Sequence, residues 1–283
     1  MAVTTPDFDR ARAPRAPRAA PKKAAAKSAL PFPDHRAPTA ADCAEVAEVL
    51  TQLHGRVRRP KPNAPPSAEA TWTASCGGVN SVLDALVRTI LSQNTTNSNS
   101  SRAMRGLQAR FVGDYAAVCR APVAEVAASI RCGGLANIKA QRLLAILADL
   151  QARHGQLSLE YLRDWTTPAV LAELTRYPGV GPKTAGCVLL FCLQRDVFAV
   201  DTHIFRITRA LGWVPPHANR VTTQLHLDAR VPDQLKHALH VLLIRHGKTC
   251  MRCAAQGRPQ RPSPIPCPLR LPAPAGRAVP ALR

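Results

Sequence analysis

The chain reads as an all-α protein, and three observations carry that reading. Apolar residues recur at i, i+3 and i+4 from about residue 79 to about residue 250. The alternating, β-branched runs bounded by turn residues that mark a sheet are missing. Proline, which disrupts helix interiors, gathers outside this stretch: 11 of the 26 lie in residues 1–70 and 8 in residues 250–283.

Residues 1–40 form a basic Ala/Pro/Arg tail, whose low-complexity run over 12–27 has too few large apolar groups to offset the entropy of ordering. Disorder is expected there. Such a run suits a nuclear-import signal, an electrostatic arm, an Arg-rich organellar presequence or a solvated spacer. The nucleus is the expected compartment and the mitochondrion the alternative, with Asp7 and Asp9 weighing against a presequence. Residues 41–70 hold a short helix, with Val46, Val49, Leu50 and Leu53 at helical spacing, followed by a linker. Residues 71–249 form the main domain. Its amphipathic stripes are Val82, Leu83, Leu86, Val87, Ile90 and Leu91, then Met104, Leu107 and Phe111, then Val123, Val126 and Ile130. Leu143, Leu144, Leu147 and Leu150, then Ile204, Ile207 and Leu211, then Leu235, Leu239, Leu242 and Leu243 complete the series. Residues 250–283 are a Cys/Pro/Arg-rich tail, again expected to be disordered, with six Arg and no acidic residue.

An apolar fraction of 46% over 283 residues supplies a core and argues against a wholly disordered chain. Lys and Arg number 38 against 18 Asp and Glu, a formal charge of +20 that suits a polyanionic partner. No apolar run approaches the roughly 18–20 residues that span a bilayer, and no signal-peptide core opens the chain, so neither a membrane partner nor secretion is expected. The nine Cys are odd in number and mostly scattered, unlike a secreted disulfide framework, which points to a reducing compartment.

Chemistry concentrates in Tyr177-Pro178-Gly179-Val180-Gly181-Pro182-Lys183-Thr184-Ala185, between two apolar helical stretches. Gly179 and Gly181 permit positive φ and put no Cβ in the way, so the turn's backbone amides and the following helix start can cradle a phosphate. The same residues also suit an ordinary helix-turn-helix corner. Pro182 belongs at the first helical position. Lys183 follows in the first turn, where the helix dipole disfavours its cationic form and favours a nucleophilic amine, unless it serves only to neutralise phosphate. Eighteen residues on, Asp201 opens Asp201-Thr202-His203-Ile204-Phe205-Arg206 and is placed to cap a helix. If the two helices pack side by side, its carboxylate faces Lys183 and serves as a base or a counter-charge.

ProGlyValGlyProLysThrAla followed by ValAspThrHisIlePheArg resembles the helix-hairpin-helix (HhH-GPD) DNA glycosylase superfamily, and within it the endonuclease III type. Leu91-Ser92-Gln93-Asn94-Thr95-Thr96 and Gly134-Leu135-Ala136-Asn137-Ile138-Lys139-Ala140 resemble two further family segments. The resemblance covers roughly residues 79–250. It implies a two-lobed all-α fold that binds double-stranded DNA as a monomer and flips a damaged base into a pocket between the lobes. It also implies base-excision repair chemistry: Lys183 attacks C1′ of a damaged nucleotide, with an oxidised pyrimidine the expected target, and the strand is nicked by β-elimination, with Asp201 assisting. Gln93 or Asn94 would fill the vacated stack, and Gly179, Val180, Gly181, Thr184, Lys139 and Arg206 would contact DNA. The alternatives are a monofunctional glycosylase or a 5-methylcytosine glycosylase of the same fold, and a non-catalytic DNA-binding module.

No cofactor is required for that chemistry. Relatives of endonuclease III commonly end in Cys-X6-Cys-X2-Cys-X5-Cys, which holds a [4Fe-4S] cluster. This chain has Cys250, Cys253 and Cys267, one thiol short of the usual four ligands. His246 could complete a Cys3His zinc set, although no standard finger spacing is matched. The expected state is a degenerate iron–sulfur region with free thiols, a cluster or zinc being the alternatives.

Overall fold

The computed structural model describes residues 30–59 and 79–271, and every regular element among them is helical. The first lobe is built from α2 (Val82–Leu91), α3 (Asn97–Phe111), α4 (Tyr115–Arg120), α5 (Val123–Ser129), α6 (Ala136–His154), α7 (Thr167–Thr175) and α8 (Pro182–Cys187). The second unites α1 (Ala40–His54) with α9 (Thr202–Ala210), α10 (Arg220–Arg230) and α11 (Asp233–Thr249).

Helix α2 is apolar around most of its circumference, with only Asp84 and Arg88 forming a narrow, partly exposed charged edge, the pattern of a helix sunk into a bundle. Val82, Leu83, Leu86, Val87, Ile90 and Leu91 are all buried, and the helix is packed by α3, α6 and α8. Helix α6 lays Leu143, Ile146, Leu147 and Leu150 into the same core and stops at Gly155, whose φ of 67° is a left-handed cap.

Helix α1 is not a separate preliminary element, contrary to the division expected at residue 70. It buries Cys43, Val46, Ala47 and Leu50 against α11 and shares a core with Phe198, Ile207, Trp213 and Leu242. Its start is set by a capping box: the Thr39 amide donates to Asp42 Oδ2 (2.7 Å) and the Asp42 amide donates to Thr39 Oγ1 (3.2 Å).

The C-terminal tail is corrected likewise. Residues 250–271 are irregular but folded, with Cys250, Cys253 and Leu269 buried in the second core. The Arg261 and Ser263 amides donate to Lys248 O (3.1 Å) and Thr249 O (3.0 Å), laying the segment along the end of α11. Proline forbids helix here, yet a few buried thiols and one leucine suffice to hold a compact loop. The disorder expected of residues 1–29 and 272–283 lies outside the described residues, as does the linker over 60–78. No described helix is long and apolar enough to cross a membrane.

The lobes meet where α8 runs on into a wider turn over Val188–Cys192, closed by Leu193 N–H donating to Val188 O at 3.0 Å. Cys187, Leu190 and Phe191 pack there on Ala199 and Val241. Gly186 makes the approach possible: a Cβ on it would stand 3.1 Å from Ala199 Cβ. The extended segment 197–200 thus runs directly beside α8 and delivers Asp201 to the junction.

Candidate active site

The turn between α7 and α8 is tight because Val180 N–H donates to Tyr177 O (3.0 Å) and Gly179 takes a φ of +80°. Any side chain at Gly179 would also collide with the Arg142 guanidinium, which lies across the space its Cβ would fill. Gly181 differs from the sequence reading. Its φ is −88°, ordinary extended backbone, and its contribution is openness, since a Cβ there would meet nothing within 4 Å. Pro182 begins α8, as the sequence predicts. Gly179 and Gly181 are exposed, while the Val180 side chain is buried in the first core.

Gln93 and Asn94, at the end of α2, part company. The Gln93 amide donates to Gly179 O (2.9 Å) and Thr184 Oγ1 (3.1 Å), and its Oε1 accepts from Arg142 Nη1 (3.0 Å). It is a brace beneath the turn. Asn94 is exposed and left-handed, with φ 51°, a conformation asparagine tolerates better than most residues.

Three residues expected on DNA are corrected. Lys139 is 1% exposed, and its ammonium donates to Leu91 O (2.8 Å) and Gly133 O (2.9 Å), so it holds the end of α2 from within. Burial, then the charge of Arg142, draw its pKa below the usual lysine range. Thr184 is buried and serves the Gln93 brace. Arg206 donates through Nε to Cys253 O (2.7 Å) and shares a hydrogen bond with His203 Nδ1 (3.2 Å), a strut between α9 and the C-terminal loop. In each case an unfilled carbonyl or amide inside the fold captures a group that sequence reading turned outward.

The remaining predicted residues converge. A cleft of about 660 Å³ between the lobes is lined by Gln93, Asn94, Gly179, Gly181 and Lys183 from the first and by Asp201 from the second. Asp201 caps α9, its Oδ1 accepting from Ile204 N–H (2.8 Å), which fixes the carboxylate at the helix start. Arg220, Lys248 and Gln260 also line the cleft and had no motif to mark them. Gln224 was missed too. Its Nε2 donates to Pro182 O (3.0 Å) while its Oε1 accepts from Val200 N–H (3.0 Å), so one buried amide spans the residues preceding Lys183 and Asp201.

Behind the cleft His240 is fully buried, and its Nδ1–H donates to Ala199 O (2.8 Å). Burial, and the charge of Lys183 against the opposing pull of Asp201, lower its pKa to about 4. Burial together with Arg59 and His240 does the same to His237, also to about 4. Both are neutral in the folded protein where an unfolded chain would protonate them, near the ordinary value of 6.5. Stability is therefore expected to be undiminished by these groups above pH 6.5 and to fall as pH drops toward 4, by on the order of 3 kcal/mol for each histidine. Urea unfolding at about pH 7.5 and about pH 5 checks this, and His240→Gln should flatten the profile.

A second cluster lies at the end of α11. One donor atom each from His246, Cys250, Cys253 and Cys267 lies within 4.8 Å of the others, a set suited to a metal ion. Cys253 Sγ and Cys267 Sγ are 3.7 Å apart, and His246 Nε2 is 3.4 Å from Cys267 Sγ. The other ring nitrogen of His246 shares a hydrogen bond with His54 Nε2 at 3.1 Å, at the end of α1.

Known proteins are similar to this chain in sequence and in fold. The sequence profile of the HhH-GPD superfamily base excision DNA repair proteins matches residues 87–232. The Arabidopsis thaliana protein At3g47830, a provisionally assigned DNA glycosylase, is 42% identical over 256 residues, covering 84% of this chain and 87% of its own length. DNA glycosylase/AP lyase ROS1 of the same plant is 38% identical over 114 residues, 40% of this chain and 8% of the relative. Among solved structures, a non-covalent complex of endonuclease III with DNA superposes with a TM-score of 0.60 at 21% identity, covering 79% of this chain and 91% of that one. That likeness is one of fold.

Proposed function

Because the chain belongs to the HhH-GPD superfamily of base excision DNA repair proteins, we propose that it is a DNA glycosylase with AP lyase activity, acting on an oxidised pyrimidine in duplex DNA. The observation that carries this reading is that Lys183 and Asp201, from different lobes, line one cleft whose rim is the glycine turn. A nucleophile, a carboxylate and a phosphate cradle in one opening are what base removal requires. The AP lyase named in ROS1, 38% identical over 114 residues, supports the second activity.

The duplex lies across the turn, with a phosphate against the exposed Gly179 and Gly181 backbone at the start of α8. The target nucleotide leaves the stack at a cost of a few kcal/mol, offset by phosphate contacts and by a side chain filling the gap. Asn94 is that side chain, since Gln93 is held by three hydrogen bonds beneath the turn. The Lys183 amine then forms a bond to C1′ as the bond from C1′ to the base breaks, and the base departs with the electron pair and takes up a proton. Asp201 offsets positive charge on the sugar and accepts the proton lost by the amine. The C1′–O4′ bond then breaks, O4′ keeping the electron pair and taking up a proton, so that the sugar ring opens and C1′ is joined to the lysine nitrogen as a protonated imine. This acidifies C2′–H, and loss of that proton expels the 3′ phosphate.

The test uses duplex oligonucleotides carrying thymine glycol, uracil, 5-methylcytosine or an abasic site, incubated with borohydride. A covalent adduct on the oxidised pyrimidine, absent from Lys183→Gln, is the expected result. Adduct on 5-methylcytosine alone would reassign the substrate, base release without adduct would make the enzyme monofunctional, and tight binding with every base intact would leave a DNA-binding module.

A further inference from the structure

The cluster at the end of α11 departs from the iron–sulfur site that the endonuclease III resemblance implies. A [4Fe-4S] cube is held by four thiolates and interposes iron and sulfide between them. Here the donors are three thiols and an imidazole, and they stand too close together to enclose a cube. Their spacing has another meaning. A tetrahedral ion bound at about 2.3 Å to sulfur and about 2.0–2.1 Å to nitrogen gives edges of about 3.8 Å between sulfurs and about 3.5 Å between sulfur and nitrogen. Two of the six edges match closely, 3.7 Å for Cys253 to Cys267 and 3.4 Å for His246 to Cys267, and the whole set lies within 4.8 Å. We propose that His246, Cys250, Cys253 and Cys267 bind a single structural zinc ion in place of an iron–sulfur cluster.

The surroundings fit that ion. His246 is wholly buried and Cys250 and Cys253 nearly so, which shields thiolate–metal bonds from water. The second ring nitrogen of His246 is engaged by His54, the outer partner that orients a metal-bound imidazole. Four protein ligands leave no open position, so the ion supplies no nucleophile or Lewis acid and takes no part in base removal. It acts on shape. His246 and Cys250 sit on and just beyond the last turn of α11, Cys267 lies fourteen residues after Cys253, and the intervening loop carries Gln260 to the cleft. Arg206 of α9 is tied to the same loop through Cys253 O at 2.7 Å. Zinc thus pins the C-terminal loop, α9 and α11 together, and through His54 reaches α1. Two cleft residues, Lys248 and Gln260, are held by this knot.

Metal content of the full chain, purified without added metal and read by mass spectrometry with a sulfide assay, tests the assignment apart from any glycosylase activity. One zinc per chain with neither iron nor acid-labile sulfide is expected. Replacement by Co(II) should give the intense visible d–d bands of a tetrahedral site and a thiolate charge-transfer band. His246→Cys should retain one equivalent of zinc, whereas His246→Ala should weaken its retention against a competing chelator by at least about tenfold, in keeping with loss of one ligand. Iron with matching sulfide would restore the cluster and overturn the proposal. So would three freely titrating thiols in a metal-free chain, an octahedral cobalt spectrum, or zinc held equally well by His246→Ala. Should a variant fail to fold, the zinc count and cobalt spectrum of the unaltered chain decide alone.

Discussion

An Asp201→Asn enzyme is expected to melt like the parent and to release base about 10²–10⁴-fold more slowly, the range over which a positioned acid–base group contributes. The two halves of that result come from two duties of one side chain. As a helix cap, Asp201 accepts from Ile204 N–H at 2.8 Å, and asparagine caps about as well as aspartate. As a charged group lining the cleft with Lys183, it has no neutral substitute. Asp201→Ala separates the duties from the other side, losing the cap as well and about 1 kcal/mol of stability with it. Single-turnover base release and urea unfolding on the three proteins decide the matter. A slow Asp201→Asn variant that is also destabilised as much as Asp201→Ala would mean that the carboxylate acts only by building α9.

The second large effect is expected at Lys139. Lys139→Met keeps the aliphatic stem but withdraws the ammonium from Leu91 O and Gly133 O, at 2.8 and 2.9 Å in a site 1% exposed. Losing two hydrogen bonds from a charged donor and stranding buried carbonyls should cost about 3 kcal/mol. The loss also reaches the site, because Leu91 ends α2 and Ser92, Gln93 and Asn94 follow it directly. DNA affinity measured across salt concentrations separates this from the surface role that the sequence suggested. Removing a residue that sits on a phosphate would lower the dependence on salt by about one unit of slope while leaving stability alone. Lys139→Met should do the reverse, with an unchanged slope and a lower unfolding midpoint.

Lys139 illustrates why sequence and structure divide as they do. Helical periodicity is a property of neighbours along the chain, so the all-α class and α1, α2, α3, α5, α6, α9 and α11 could be read directly from residues three and four apart, while α4, α7 and α10 lie outside the stripes so marked. The Pro182 helix start and the Asp201 cap could be read for the same reason, since caps are local. So could the spacing that brings Lys183 and Asp201 into consideration together. Whether a polar side chain between two stripes turns inward depends instead on which carbonyl, tens of residues away, lacks a partner. Lys139 meets Leu91, Arg206 meets Cys253 and Gln224 meets both Pro182 and Val200, and none of these pairings leaves a periodic trace.

The same distinction governs the ends of the folded region. Proline density correctly excludes helix from most of residues 250–271, but it cannot tell an open tail from a loop held by four converging donors. His246, Cys250, Cys253 and Cys267 match no standard spacing, because the last two lie fourteen positions apart and the loop between them is free to take any length. Helix α1 joins the second lobe because its apolar face covers α11 across nearly two hundred residues of sequence, a pairing that amphipathicity demands without naming the partner. By itself the sequence determined the class, most of the helices and the helix starts at Pro182 and Asp201, all products of local geometry, and it marked Lys183 and Asp201 as candidates whose meeting depends on how the lobes pack. Only the tertiary structure decided that Gln93 braces while Asn94 stands exposed, that Lys139 and Arg206 point inward, and that one imidazole joins three thiols. Those outcomes turn on buried polar groups finding partners far away in the chain.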